Sequence, residues 1–187
     1  MAELVRCKSC GYVMPASRVG ARCPACGVDR KMMEPWKDPV SEGRRIRLGF
    51  DLHPILDHFS VSFAACAFAL VLFELVLPDL FRQTVTSTAR AFIGALPVAI
   101  VGSFLSGLFD GGTRFRRTTT PLLVRKQILA VAFFVLALGT AGLTFFVGPY
   151  IQWVRAVDAV LLAGCVVLAA LLGLIGKSLN TAIFPGA

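Results

Sequence analysis

Six cysteines occur in the chain, and four of them form two matching pairs, Cys7-Lys8-Ser9-Cys10 and Cys23-Pro24-Ala25-Cys26, with twelve residues between the pairs. A Cys-x-x-Cys turn presents two thiolates on one side of a tight bend, and two such turns can close a tetrahedron around one metal ion. Gly11 and Gly27 follow the pairs. They let the backbone turn sharply and are expected to aim amide N–H groups at the sulfurs. Two unrelated thiol pairs, or a disulfide-bridged loop, would not call for the same turn chemistry twice. The expected ligands are therefore Cys7, Cys10, Cys23 and Cys26, with Gly11, Tyr12 and Gly27 around them.

The elements that position these thiols must be small. Some thirty residues cannot build a sufficient hydrophobic core, so metal binding and folding are expected to be one event. Two short strands or knuckles with little helix are expected. Residues 1–38 hold seven basic and four acidic side chains. Arg6, Lys8, Arg22 and Lys31 are placed to offset the negative charge of a tetrathiolate site. Such a site suits zinc or iron, and ligand geometry alone does not separate them.

Cys7-x-x-Cys10-Gly11-Tyr12 followed by Cys23-Pro24-x-Cys26-Gly27 resembles a rubredoxin-type domain, and the short loop is similar to the version in rubrerythrins. The resemblance covers about 30 residues. It implies one iron held by the four cysteines and cycling between ferric and ferrous states, with Tyr12 where that family keeps an aromatic against the cluster. The chain departs from the pattern at Met14, Met32 and Met33, where rubredoxins carry further aromatics, and in its basic character. Iron is the expected metal and zinc the alternative.

The rest of the chain is of another kind. Of its 187 residues 56% are hydrophobic and 16% charged, and the mean hydropathy is +0.74. Soluble domains lie nearer ~45–50% apolar and ~25% charged. The excess is concentrated in four runs, at about 54–77, 91–109, 128–151 and 159–176. Each approaches or exceeds the ~20 residues that cross the hydrocarbon of a bilayer. The expected fold is an α-helical membrane protein with four transmembrane helices and a small N-terminal rubredoxin-like or zinc-ribbon-like metal knuckle domain. Its expected parts are a metal domain at 1–34, a basic linker at 35–51 and a helical domain at 52–187.

Basic residues set the expected orientation. Arg44, Arg45 and Arg47 precede the first run, five more separate the second from the third, and Lys177 follows the fourth. Only Arg82, Arg90 and Arg155 belong to the other side. The positive-inside rule then places both termini and the thiolate site in the cytoplasm of a cell with this protein in its inner or plasma membrane. A reducing compartment fits thiolates held by metal. The formal charge of +8 does not point to nucleic acid, because twelve of the nineteen basic residues lie after residue 38, mostly beside the apolar runs.

Within the runs, Pro97 is expected to kink the second helix. Spacings of three and four among Gly102, Ser103, Ser106, Gly107, Gly139, Gly142, Ala169, Gly173 and Gly176 are expected to serve close helix packing. Cys66 and Cys165 read as small apolar residues. His53, Asp57 and His58 open the first helix, where an interfacial or capping role is expected, and Glu74 is expected to reach outwards at the far end.

The pattern His53-Pro54-x-x-x-His58-Phe59, with Leu105-Ser106-Gly107-Leu108-Phe109-Asp110, resembles a family of uncharacterised four-helix bacterial membrane proteins over residues 52–180. It implies the architecture and a redox setting. That family often opens helix three with a further His, where this chain has Arg125-Lys126. Two axial ligands from separate helices are thus missing within one chain, and haem is not expected unless His58 from two copies shared one. The expected activity is one-electron transfer at the membrane without substrate chemistry of its own, and the alternative is a zinc-ribbon adaptor. Expected partners are the lipid bilayer and a redox protein or quinone-linked complex, with a second copy of the chain as an option.

Overall fold

The computed structural model describes residues 3–37, 42–49, 52–77 and 81–180. The chain divides into two compact units, with the boundary between Arg45 and Ile46.

The first unit is a three-stranded antiparallel sheet in the order β2-β1-β3, formed by β1 (Leu4–Cys7), β2 (Val13–Pro15) and β3 (Met33–Trp36). β1 pairs on both sides, Val5 facing Met14 on β2 and Pro35 on β3. Pro35 is tolerated because β3 is an edge strand, where a missing N–H breaks no inner ladder. The sheet runs through Trp36, so the segment expected as linker from residue 35 begins with strand. Trp36 packs on the ribbon, with the Arg6 guanidinium 4.7 Å from its ring centre. An eight-residue helix, α1 (Glu42–Gly49), lies within the rest of the segment expected as a basic linker.

The second unit holds four long helices, α2 (Leu52–Val76), α3 (Arg82–Phe115), α4 (Pro121–Gly142) and α5 (Gln152–Asn180). Each is long and apolar enough to cross a membrane, α4 together with the π-helical turn Leu143–Val147 that extends it. α3 and α5 outrun at both ends the apolar runs that announce them. α3 takes in the polar stretch from Arg82 to Arg90, because once a helix is nucleated each further residue adds one hydrogen bond. It also runs unbroken through Pro97.

Short connections make the four helices alternate in direction around a ring, α2 against α3, α3 against α4, α4 against α5 and α5 against α2. The core is a stack of small and branched side chains, among them Ala64, Ala67, Ile93, Leu96, Ala137 and Leu162. Outward positions are apolar as well, for example Val98, Val135 and Val160, each more than half exposed. Only 22–33% of each apolar window is buried inside the protein, so the remainder needs lipid to cover it.

Candidate metal centre

The two cysteine turns are built alike. In the first, the Cys7 N–H bonds the Tyr12 carbonyl at 2.9 Å and the Gly11 N–H bonds the Cys7 carbonyl at 2.8 Å. In the second, Cys23 N–H bonds the Val28 carbonyl at 2.8 Å and Gly27 N–H the Cys23 carbonyl at 2.9 Å. Gly11 and Gly27 have φ of +76° and +78°, a left-handed conformation in which a Cβ is strained. The two glycine amides close the turns on cysteine carbonyls, while the N–H groups of Tyr12, Ala25 and Cys26 point at cysteine sulfur, as expected.

The turns bring all four sulfurs within 4.8 Å of one another. Cys7 Sγ lies 3.7 Å from Cys26 Sγ, and Cys10 Sγ lies 3.8 Å from Cys23 Sγ. A tetrahedron with metal–sulfur bonds of ~2.3 Å has edges of about 3.8 Å, so the sulfurs already stand at ligand spacing. The cluster can hold a metal ion, and with four protein ligands a tetrahedral ion has no open position. Cys7 and Cys23 are buried while Cys10 and Cys26 are exposed.

As free thiols the four are unequal. Burial pushes Cys23 up, but the N–H groups of Cys26 and Ala25 and the thiols of Cys26 and Cys10 draw it down to about 7. At Cys10 the Tyr12 N–H pulls down, and burial with the neighbouring thiols of Cys26, Cys7 and Cys23 outweighs it, leaving the group at about 12. Thiols that keep their protons near neutrality must give them up before all four sulfurs can serve as thiolate ligands.

Tyr12 is 45% exposed, and Cys7, Cys23 and Met14 are the buried apolar residues of the ribbon among those described. Arg6 lies along the first turn, 3.8 Å from where a Cβ on Gly11 would stand.

The polar residues of the helical unit are placed otherwise than expected. His53 and Asp57 turn inwards, as hydrogen bonds to α3 and α4 require. His53 Nδ1 is 3.1 Å from the Ser103 carbonyl and 3.3 Å from Ser106 Oγ, and Lys126 Nζ is 2.8 Å from His53 Nε2. A protonated Lys126 can only donate, so Nε2 accepts and the ring proton sits on Nδ1, facing Ser103. Ser103 Oγ donates to Asp57 at 2.9 Å. His58 is exposed and off this face. Sequence reasoning misses Lys126, which reads there only as a topology charge.

Glu74 likewise does not reach outwards. It is 4% exposed, accepts from Thr86 Oγ1, and lies 3.6 Å from Arg155 Nε. Arg155 Nε also donates to the Pro149 carbonyl at 2.8 Å, and Thr144 in the π-helical turn donates to Asp158 at 2.9 Å. A signal for both clusters is present in the sequence. His53, Asp57, Ser60, Ala64, Ala67, Val71 and Glu74 recur at alternating steps of four and three, the spacing of one buried helix stripe.

Close packing explains only some of the small residues. A Cβ on Gly107 would stand 3.0 Å from His53 Cε1, and one on Gly139 3.7 Å from Leu161, whereas Gly102, Gly142 and Gly173 would meet nothing within 4 Å. The membrane domain therefore keeps open space beside its close contacts.

Comparison with protein-family models, with curated proteins and with solved structures finds no match to this chain.

Proposed function

We propose that the chain is a membrane-anchored one-electron carrier, with iron in the Cys7, Cys10, Cys23 and Cys26 site, the ribbon and both termini in the cytoplasm and four helices in the inner or plasma membrane. The carrying observation is the tetrahedral set of sulfurs with Cys7 and Cys23 buried and Cys10 and Cys26 exposed. The buried pair fixes the cage, and the exposed pair offers a short route for an electron to a docked partner. An iron ion held there supplies a one-electron ferric/ferrous couple. Burial of two ligands and the N–H groups around the sulfurs tune its potential. With the four positions filled by protein, the site passes electrons and takes no substrate. The electron's source or destination is a redox protein or quinone-linked complex of the same membrane.

A zinc-ribbon adaptor is the second reading. It is favoured by the exposed Tyr12 ring and by a ribbon core of two cysteines and one methionine, a packing that folding around a structural ion alone would satisfy.

Metal analysis with a visible spectrum of the full chain in mild detergent separates the two. One iron per chain, with a red colour that bleaches on dithionite, supports the carrier. Colourless protein with one zinc overturns it in favour of the adaptor.

A further inference from the structure

A cavity of the helical unit, about 500 Å³ and partly open, lies at the end that carries His53, Asp57 and Lys126. Small-molecule sites run to ~300–1,000 Å³. Ile100, Phe104, Leu123 and Phe133 supply much of its apolar wall. Gly173 makes room, since it lines the cavity and a Cβ there would meet nothing within 4 Å.

Two polar features of the wall are not accounted for by packing. Ser60 is 2% exposed and lines the cavity, yet its Oγ has no hydrogen-bond partner among the described residues. Such groups in native proteins are nearly always satisfied, so a missing partner points to a ligand. Lys126 is the second. Its ammonium bonds the uncharged acceptor His53 Nε2, and the Asp57 and Asp110 carboxylates act on it from the same wall. Two of its three N–H donors are left for something in the cavity.

We propose that this cavity binds the ring of a quinone, a neutral lipophile whose carbonyl oxygens accept hydrogen bonds from Lys126 and Ser60 while its ring lies against Phe104 and Phe133. The wall carries both signs, Asp57 and Asp110 against Arg114, Lys126 and Lys177, with Arg114 Nε 3.2 Å from Asp110, so a head of either charge meets a like charge and a neutral head meets none. The ligand supplies an acceptor for the remaining Lys126 donors on an apolar body. Asp57, held by Ser103, accepts from a hydroxyl of the reduced ring, so the quinol is also bound. The inference goes beyond the carrier reading and does not depend on which metal the ribbon holds.

The test uses the full chain in detergent, with metal content measured in parallel. The probe is a short-chain ubiquinone analogue with a fully substituted ring, so that cysteines cannot add to it. Calorimetric titration is expected to show one saturable site. Gly173→Leu, which fills the open space, is expected to abolish binding, while Gly102→Leu, away from the cavity, retains it. Ser60→Ala is expected to weaken binding about 2–10-fold, the worth of one neutral hydrogen bond, and Lys126→Met by more than about tenfold. Unchanged helical circular dichroism confirms that each variant is folded. Lack of saturable binding overturns the proposal, and so does wild-type affinity in folded Gly173→Leu. Displacement of the probe by oleate or phosphatidylglycerol binding at least tenfold more tightly would assign the cavity to an anionic lipid and overturn it as well. A zinc-loaded ribbon with intact quinone binding would remove the electron carrier and leave this site standing. An iron-loaded ribbon without binding would do the reverse.

Discussion

Glu74→Gln should strongly destabilise the helical unit, although it changes a carboxylate to an amide of nearly the same shape. Glu74 and Arg155 side chains are 4% and 7% exposed and 3.6 Å apart, so neither can turn to water once the other is neutralised. At that distance and an effective dielectric of about 20, the attraction is about 4–5 kcal/mol. Removing one partner of a buried pair generally costs about 3–5 kcal/mol, because the remaining charge stays desolvated. Arg155 would keep the Pro149 carbonyl as its Nε acceptor, which does not neutralise its charge. Each kcal/mol moves the melting temperature of a chain of this size by about 2–4 °C, so a fall of roughly 6–20 °C is expected. The assay is the melt of the helical circular dichroism signal in one detergent, for wild type, Glu74→Gln, Arg155→Met and the double variant Glu74→Met/Arg155→Met. The double variant should recover most of the loss, since an apolar pair of similar volume leaves no buried charge. A Glu74→Gln melt within 2 °C of wild type, roughly the effect of ~1 kcal/mol or less, would refute the argument. So would a double variant that melts as low as the worse single one.

Four further outcomes follow from the geometry. Cys10→Ser should lose most bound metal, read by metal analysis, because serine puts a harder and shorter ligand at one corner of the tetrahedron. Metal affinity should fall as pH falls, by at least about tenfold per unit, since the Cys10 thiol at about 12 must give up its proton on binding. The fall should steepen below about 7, where Cys23 is protonated too, and a competition titration with a chromophoric chelator measures both slopes. Gly11→Ala or Gly27→Ala should destabilise the metal-bound ribbon by about 1–2 kcal/mol through the left-handed backbone, seen as faster metal release to a chelator. Gly107→Ala should lower the melt by forcing the His53 ring away from Ser103 and Lys126, at about 1–3 kcal/mol, whereas Gly102→Ala should not.

The cysteine turns are the most legible part of the chain, because Cys-x-x-Cys-Gly is a local pattern whose geometry needs no information from elsewhere. The four apolar helices are equally plain, since length and hydrophobicity are local quantities too. What escapes is direction. His53, Asp57 and Glu74 lie near helix ends, where water would soften their cost, and nearness to an end suggests an outward turn. Their inward turn depends on Ser103, Lys126, Thr86 and Arg155, which come from other helices. Lys126 is concealed by its neighbour Arg125, since two adjacent basic residues read as one topology signal. In the ribbon, β3 is hard to foresee because Met33–Trp36 is short and contains a proline, and it exists only as a partner to β1. The alternating steps of α2 are the overlooked clue, for they place histidine, aspartate, serine and glutamate on the stripe that also carries Ala64, Ala67 and Val71.

That stripe has a consequence for traffic across the bilayer. Between Ser60 and Glu74 its members Ala64, Ala67 and Val71 are all aliphatic, and fourteen steps of helix at 1.5 Å each put the two polar residues about 21 Å apart. Ala64, Leu96 and Leu162 are fully buried in the core of this stretch, which leaves no opening between them. Carrying anything along the bundle from one end to the other would therefore require its middle to come apart.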